Sequence, residues 1–372
     1  NDLRNPTETE KATLIANIKA AHGVDGRIKN VTITGDTATI QYNDDTTRTL
    51  KVADIAKPKA PTVTNDLSSQ GGLEKNITIT NIEPKATSVT VKVGDITRTI
   101  PKPVGETTLT VTPTDLGLTA GLLPKDGAVK ATANVTDSSG VTTPSEDSAA
   151  VNITPETIKP VATNTVVEVK DRATGLWKAV PQGTAQNLPQ HTFYAGDELR
   201  FTTTFTDNSG YIKKTNVHQG GTGHTILSNA NVLDDSFGEA NADNISSLTE
   251  ATSTNPAKLE VIGKVKDELQ YRDGNAATRS ISAEDAADNR STGSTFRIKQ
   301  GSLAERNANL NPDKKIKVTR LSALTDTEKD SIKEAVKNAH DTATEKEKDR
   351  IQDVTFEGND VKITYKDGQS RT

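Results

Sequence analysis

Oxygen-bearing side chains gather at two places in this sequence with the make-up of a hard-cation site. Asp207 and Asn208 sit in Phe205-Thr-Asp-Asn-Ser-Gly210, and Asp285, Asp288 and Asn289 sit in Ser282-Ala-Glu-Asp-Ala-Ala-Asp-Asn-Arg-Ser291. Calcium takes about six to eight oxygens from carboxylates, amides and carbonyls. If the two segments meet at one end of a sheet, these five residues make a calcium site, with Asp197 and Glu284 able to add to it. The same residue types serve a plainer purpose, since Asp and Asn make turns by accepting bonds from nearby backbone amides. Extracellular calcium sites bind in the range of about 0.1–1 mM, so such an ion stiffens a module more than it folds one.

Other residue sets offer less. His218 and His224 bracket a Gly-rich stretch and could hold a transition metal if a third ligand approached, but glycines also occur wherever backbone needs positive φ. No strand leads into that stretch with a helix after it, as a phosphate-cradling loop requires. His22 and His340 fall at helix ends, where a histidine complements the helix dipole, and no serine or carboxylate pair falls in a nucleophile or paired-acid pattern. No enzyme is expected. Trp177, with Phe193 and Tyr194, could form a sugar-stacking platform, but in a chain with 3% aromatics these residues read as core anchors. Lys, Asn and acidic residues for an isopeptide crosslink are present but too common to single out a triad.

The elements that must position these residues are mostly short strands. The 372 residues contain no cysteine or methionine and 32% hydrophobics, so disulfides, thiolate metal sites and one large core are excluded in favour of several small cores. The net charge of −5, with both signs interspersed, is no nucleic-acid footprint, and no apolar run approaches the roughly 20 residues of a membrane span.

Four modules follow along the chain. Residues 1–57 read as a capped helix, with Leu14, Ile15, Ile18 and Ala21 on one face, followed by strands. Residues 58–155, opened by a Pro-containing linker, alternate apolar and polar in short runs, as an immunoglobulin-like sandwich does. Residues 156–301 read as a second, longer sandwich carrying a Gly/Asn/Ser-rich loop over 218–253, the first place to seek a ligand. Residues 302–372, with an entering strand over 314–318, repeat the first module.

That repeat is explicit. Over 27–49 against 350–372, 10 of 23 positions are identical, about 320 residues apart, and the capping sequence at Thr7 returns at Thr325. The first copy continues past the equivalent of Thr372 with one more strand, so the parent chain is expected to extend beyond it.

The turns quoted above resemble those of cadherin-like and bacterial immunoglobulin-like repeats, with Asp288 at the usual glycine position. The end modules, Val-Thr followed by Ile-x-Tyr-x-Asp, resemble the small grasp-like helix-plus-sheet repeats of giant wall-anchored adhesins of staphylococci and streptococci. The resemblance implies a mainly β, multi-domain stalk in the extracellular cell wall of a Gram-positive bacterium. It implies a monomeric rod that displays binding sites, with host matrix protein such as fibronectin, or a glycan, as partner. The alternative is a spacer with no ligand of its own.

Overall fold

The computed structural model describes residues 6–22, 26–118, 121–136, 140–220, 247–248, 256–274 and 276–372. The chain divides into two compact units, Asn1–Thr157 and Ile158–Thr372.

The first unit opens with α1 (Glu8–His22), then β1 (Ile28–Thr34), β2 (Thr37–Tyr42) and β3 (Thr47–Lys51), an antiparallel sheet in that order. Thr7 and Glu10 close the capping box: the Glu10 amide donates to Thr7 Oγ1 at 3.3 Å and the Thr7 amide to Glu10 Oε2 at 2.8 Å. Ile18 packs on Val31, Ile33, Ala38 and Ile40, with Leu14 and Ile15 at the edge of this core. Ala21, placed on the same face by its spacing, is exposed, because the packed stripe ends one turn earlier.

After the short α2 (Val52–Ile55) come β4 (Thr62–Val63), β5 (Ile77–Thr80), β6 (Ser88–Val93), β7 (Ile96–Pro101), β8 (Leu109–Val111), β9 (Gly127–Thr136), β10 (Thr142–Pro144) and β11 (Val151–Ile153). They form one sheet in the order β4-β5-β8 and another in the order β10-β9-β6-β7, with β11 also on β9. Alternate residues such as Ile77, Ile79, Val89, Val91, Val129 and Ala131 share one buried core, as period-two patterning requires.

The second unit contains β12 (Val161–Ala162), β13 (Val166–Lys170), β14 (Trp177–Ala179), β15 (Gln182–Ala185), β16 (Leu188–Phe193), β17 (Glu198–Thr206), β18 (Lys214–Gly220), β19 (Ser247–Leu248), β20 (Ala257–Lys264), β21 (Ala276–Glu284) and β22 (Ser294–Gln300). One sheet runs β14-β13-β17-β20-β19, with β12 on β17, and the other runs β15-β16-β22-β21-β18, where β16 and β22 are parallel. Phe193, Phe201, Phe205, Leu259, Phe296 and Ile298 belong to the core of this sandwich.

The chain then forms α3 (Leu303–Arg306), α4 (Asp326–Ala339), β23 (Ile351–Glu357), β24 (Asp360–Tyr365) and β25 (Ser370–Arg371). Residues 314–318 form no strand, contrary to the alternation of Ile316 and Val318: Ile316 is exposed, and no neighbouring strand offers a ladder there. The two helix-and-sheet copies agree in detail. Each has a three-stranded antiparallel sheet, and each has an irregularity at the same place, Ile28/Asn30 and Ile351/Asp353.

The C-terminal copy is seated on the sandwich. Ala195 is buried with Leu303, Val336, Ile351, Val354 and Tyr365 in a shared core, with Tyr194 and Leu269 at its edge. Arg350, 2% exposed, donates to Asp197 Oδ1 at 2.5 Å and lies 3.2 Å from Glu347. The Arg306 guanidinium stacks 4.6 Å from the Tyr194 ring, and the Leu303 amide donates to Asp367 Oδ2 at 2.8 Å.

Candidate functional site

Charged residues at inward positions of a sandwich strand are rare because burying an unpaired charge is costly. Strand β21 carries one. Ile281 and Ala283 face the core, and Arg279, two residues before Ile281, shares their side of the strand. Register confirms the placement: Arg279 lies opposite Phe296 of β22, a core residue that stacks on Phe201 at 5.9 Å and meets the His191 ring edge-on at 6.3 Å.

The Arg279 side chain is 2% exposed. Its Nη1 donates to the Thr278 carbonyl at 2.8 Å, while Nε and Nη2 have no hydrogen-bond partner among the described residues. Burial lowers its pKa to about 10, with no charge among the described residues acting against the loss of solvent. Arg350 shows the contrast: burial acts on it too, but the carboxylates of Asp197 and Glu347 outweigh it and raise the pKa. One buried arginine has its counter-ions built in; the other has none among the described residues. A guanidinium presents a flat fork of N–H donors suited to two oxygens of a carboxylate, so Arg279 is equipped to receive an anion. In the sequence it passes for one polar member of an alternating strand. The available signal was its parity with Ile281 and Ala283.

The five residues proposed for calcium lie in two turns that do approach each other, since Asp285 acts electrostatically on Asp207. Three of their oxygens are engaged in making those turns. Asp285, fully buried, accepts at Oδ1 from the Ala287 and Asn289 amides, each at 2.8 Å, and at Oδ2 from Asn289 Nδ2 at 3.0 Å. Asp288 adopts φ +69°, the left-handed conformation its place in the turn demands, and its carboxylate pairs with Lys213. Asn208, in the Asp207 turn, is exposed. Asp207 Oδ2 accepts from the Ser209 amide at 2.8 Å, and Oδ1 is buried without a hydrogen bond. Burial, reinforced by Asp285, raises the Asp207 pKa. Asp197 is given over to Arg350, and Glu284 pairs with Lys214 at 3.1 Å. Among the described residues no three His, Cys, Asp or Glu side chains converge as metal ligands.

Trp177 is a correction. It is not a core anchor but lies half-buried on the outer face of its sheet, paired in register with Lys170 and stacked 4.6 Å from the Arg200 guanidinium. Edge strand β14 presents it to that face because its neighbour across the ladder, Lys170, points outward. Phe193 is in the sandwich core and Tyr194 in the joint with the C-terminal copy, as aromatic anchors. His218 lies in β18, whereas His224 and most of the 218–253 loop fall outside the described residues. Among the described residues no helix is long and apolar enough to cross a membrane.

Comparison with known proteins places two families on the second unit. Residues 182–303 match the GspA/SrpA SigLec-like domain, and residues 307–372 match the atypical Rib domain. No curated protein sequence matches the chain. Among solved structures, the SrpA adhesin of Streptococcus sanguinis is similar at 25% identity over 58% of this chain and 90% of its own, with a TM-score of 0.37. The sialic acid binding region of the Streptococcus sanguinis SK1 adhesin, bound to 3'sLn, is similar at 16% identity over 85% and 97%, with a TM-score of 0.34. Fibronectin(III)-like modules of Clostridium thermocellum CbhA are similar at 17% over 65% and 96%, with a TM-score of 0.22. The two family matches agree with the resemblance carried by the turns and the end repeats: the chain is an extracellular, mainly β segment of a streptococcal-type surface adhesin.

Proposed function

We propose that the sandwich of the second unit binds an acidic glycan, with the Arg279 guanidinium receiving the carboxylate of a sialic acid. The observation that supports this most is the buried Arg279 fork, with two nitrogens left without partners inside a domain of lectin-like family. A carboxylate supplies the paired oxygens that the fork lacks, and a charge-assisted bidentate bond is among the stronger polar contacts available. The flanking modules carry the lectin-like domain outward from a Gram-positive cell wall, and no chemical step belongs to this reading.

Arrays of sialylated and desialylated glycans test it. Binding is expected to be saturable, to require the sialic acid, and to be lost in Arg279→Met and weakened in Arg279→Lys, which keeps the charge but not the fork. Undiminished binding by Arg279→Met would remove the reading. Saturable binding to fibronectin with no response to glycans would replace the glycan by a matrix protein. Silence on both would leave a spacer.

Calcium belongs to this proposal in a secondary place, because Asp207 Oδ1 is buried without a hydrogen bond and the Asp285 charge adjoins it. Millimolar calcium would then raise the thermal midpoint of the second unit and EDTA would lower it. An identical midpoint in both removes the ion.

A further inference from the structure

A cavity of 610 Å³ opens where the sandwich meets the C-terminal copy. Its size falls within the range of about 300–1,000 Å³ that accommodates small ligands. Lys170, Arg172 and Glu198 line it from the sandwich, and Asp341, Lys346 and Asp349 from the other side.

The charges of this wall are already matched in pairs. Lys170 Nζ lies 3.0 Å from Glu198, Lys346 Nζ lies 2.8 Å from Asp341, and Arg172 is paired with Asp349. Lys264 and Lys348, also in the lining, pair with Asp267 at 2.9 Å and Glu334 at 3.3 Å. Such a wall has little net field with which to select a strong anion. It offers closely spaced donors and acceptors instead, and most of these side chains are substantially open to solvent. A ligand that donates and accepts at many points without a charge of its own fits this pattern, and sugar hydroxyls do both.

The aromatic component is next to it. Trp177 is paired in register with Lys170, whose Nζ lies 5.9 Å from the indole ring. It sits on the outer face of the sheet, in the row that continues through Lys170, Glu198 and Lys264 into the cavity. Gly175, in the turn between β13 and Trp177, has open space where a side chain would be, so the rim there is unobstructed. The Arg200 guanidinium stacks on the ring at 4.6 Å and the indole remains half-buried, so its remaining exposed surface beside a cluster of polar hydrogen-bonding groups is what would meet the apolar side of a pyranose while the hydroxylated side meets the cluster.

We infer that this cavity, with Trp177 on the strand beside its lining residue Lys170, is a second carbohydrate site that takes uncharged hexose units, separate from Arg279. Arg279 projects from the inner face of the opposite sheet, so the two sites share no lining residue.

The protein carries a single tryptophan, which makes the test direct. Trp177 emission is followed while lactose, maltose and N-acetyllactosamine are each titrated into the whole chain. A saturable change with at least one of them is expected. It should weaken about tenfold when Asp341→Ala and Lys346→Ala remove two polar contacts together. Arg279→Met should leave it unchanged, which separates this site from the acidic-glycan reading. Glu198→Gln, a near-isosteric change on a stable strand, gives the same readout if the double variant loses its thermal midpoint. No saturable change with any of the three sugars overturns the inference. So does a change that survives both sets of lining substitutions, or one that vanishes with Arg279→Met.

Discussion

Arg279 and Arg350 show at the scale of single residues how an arginine proposed for a ligand differs from one that holds a structural joint. Both side chains are 2% exposed, yet Arg350 lies against two carboxylates and Arg279 against none among the described residues. Removing one partner of a buried ion pair strands the other, so Arg350→Met is expected to cost about 3–5 kcal/mol. Guanidinium denaturation of the second unit measures it, and Asp197→Leu added to Arg350→Met should recover part of the loss. Arg279→Met should behave in the opposite way. Replacing a buried charge that has no counter-ion with an apolar side chain of similar length should leave stability unchanged or raise it, while binding is lost. A rise in the thermal midpoint together with lost glycan binding would mark Arg279 as a residue kept for its ligand. At this scale the sequence spoke for the turns and not for the site. Asp207, Asp285 and Asp288 stood out by composition, whereas Arg279 is conspicuous only once strand parity is known.

Among the elements, the two helix-and-strand copies were legible because their signals are local. A threonine with a glutamate three residues on specifies a helix start, and both caps form. Thr325→Ala should therefore cost about 1 kcal/mol in the C-terminal copy, read as a fall in its thermal midpoint. Less visible were β14, β15 and β16: Gly183 and Pro189 interrupt the alternation, and β16 is held partly by the parallel partner β22, a contact far away in sequence. The link between α4 and β24 carries a pH dependence. His340 is buried, its Nδ1 lies 2.9 Å from the Val336 carbonyl and its Nε2 2.9 Å from the Tyr365 hydroxyl. Since a carbonyl only accepts, Nδ1 carries the proton and Nε2 accepts from Tyr365. Burial lowers the folded-state pKa, and the Arg371 charge adds to this against the opposing pull of Glu347. The unfolded chain then binds the proton more readily, so stability is intact above the unfolded value of about 6.5 and falls as pH drops below it. Thermal midpoints from pH 7.5 to 5 should decline in the native protein and decline less in His340→Gln, where the buried His191, its pKa also lowered by burial, keeps its own share of the slope.

For the molecule as a whole, the second unit joins a sandwich that matches the SigLec-like family and a module that matches the atypical Rib family, and the two share one core at Ala195, Leu303 and Tyr365. They should unfold together, in a single calorimetric transition, and a chain ending at 301 should lose midpoint because Ala195 and Tyr194 would be left uncovered. Two transitions would show that the joint is weaker than its buried pairs suggest. The two units part between Thr157 and Ile158, inside a segment with prolines at 155 and 160. The joint inside the second unit was not readable, because Asp197 and Arg350 are 153 residues apart and nothing in the sequence around either points to the other, Asp197 reading instead as a possible calcium ligand.

Arg350 has a counterpart: Arg27 holds the same place in the first helix-and-strand copy, where it is exposed. The neighbouring aspartates correspond as well, Asp44 bonding within its own turn among the described residues while Asp367 spares an oxygen for Leu303. A protein that lengthens by duplicating such a module inherits, with every copy, the prong for a socket like the one around Asp197. New units can then be added by descent without inventing a new joint each time.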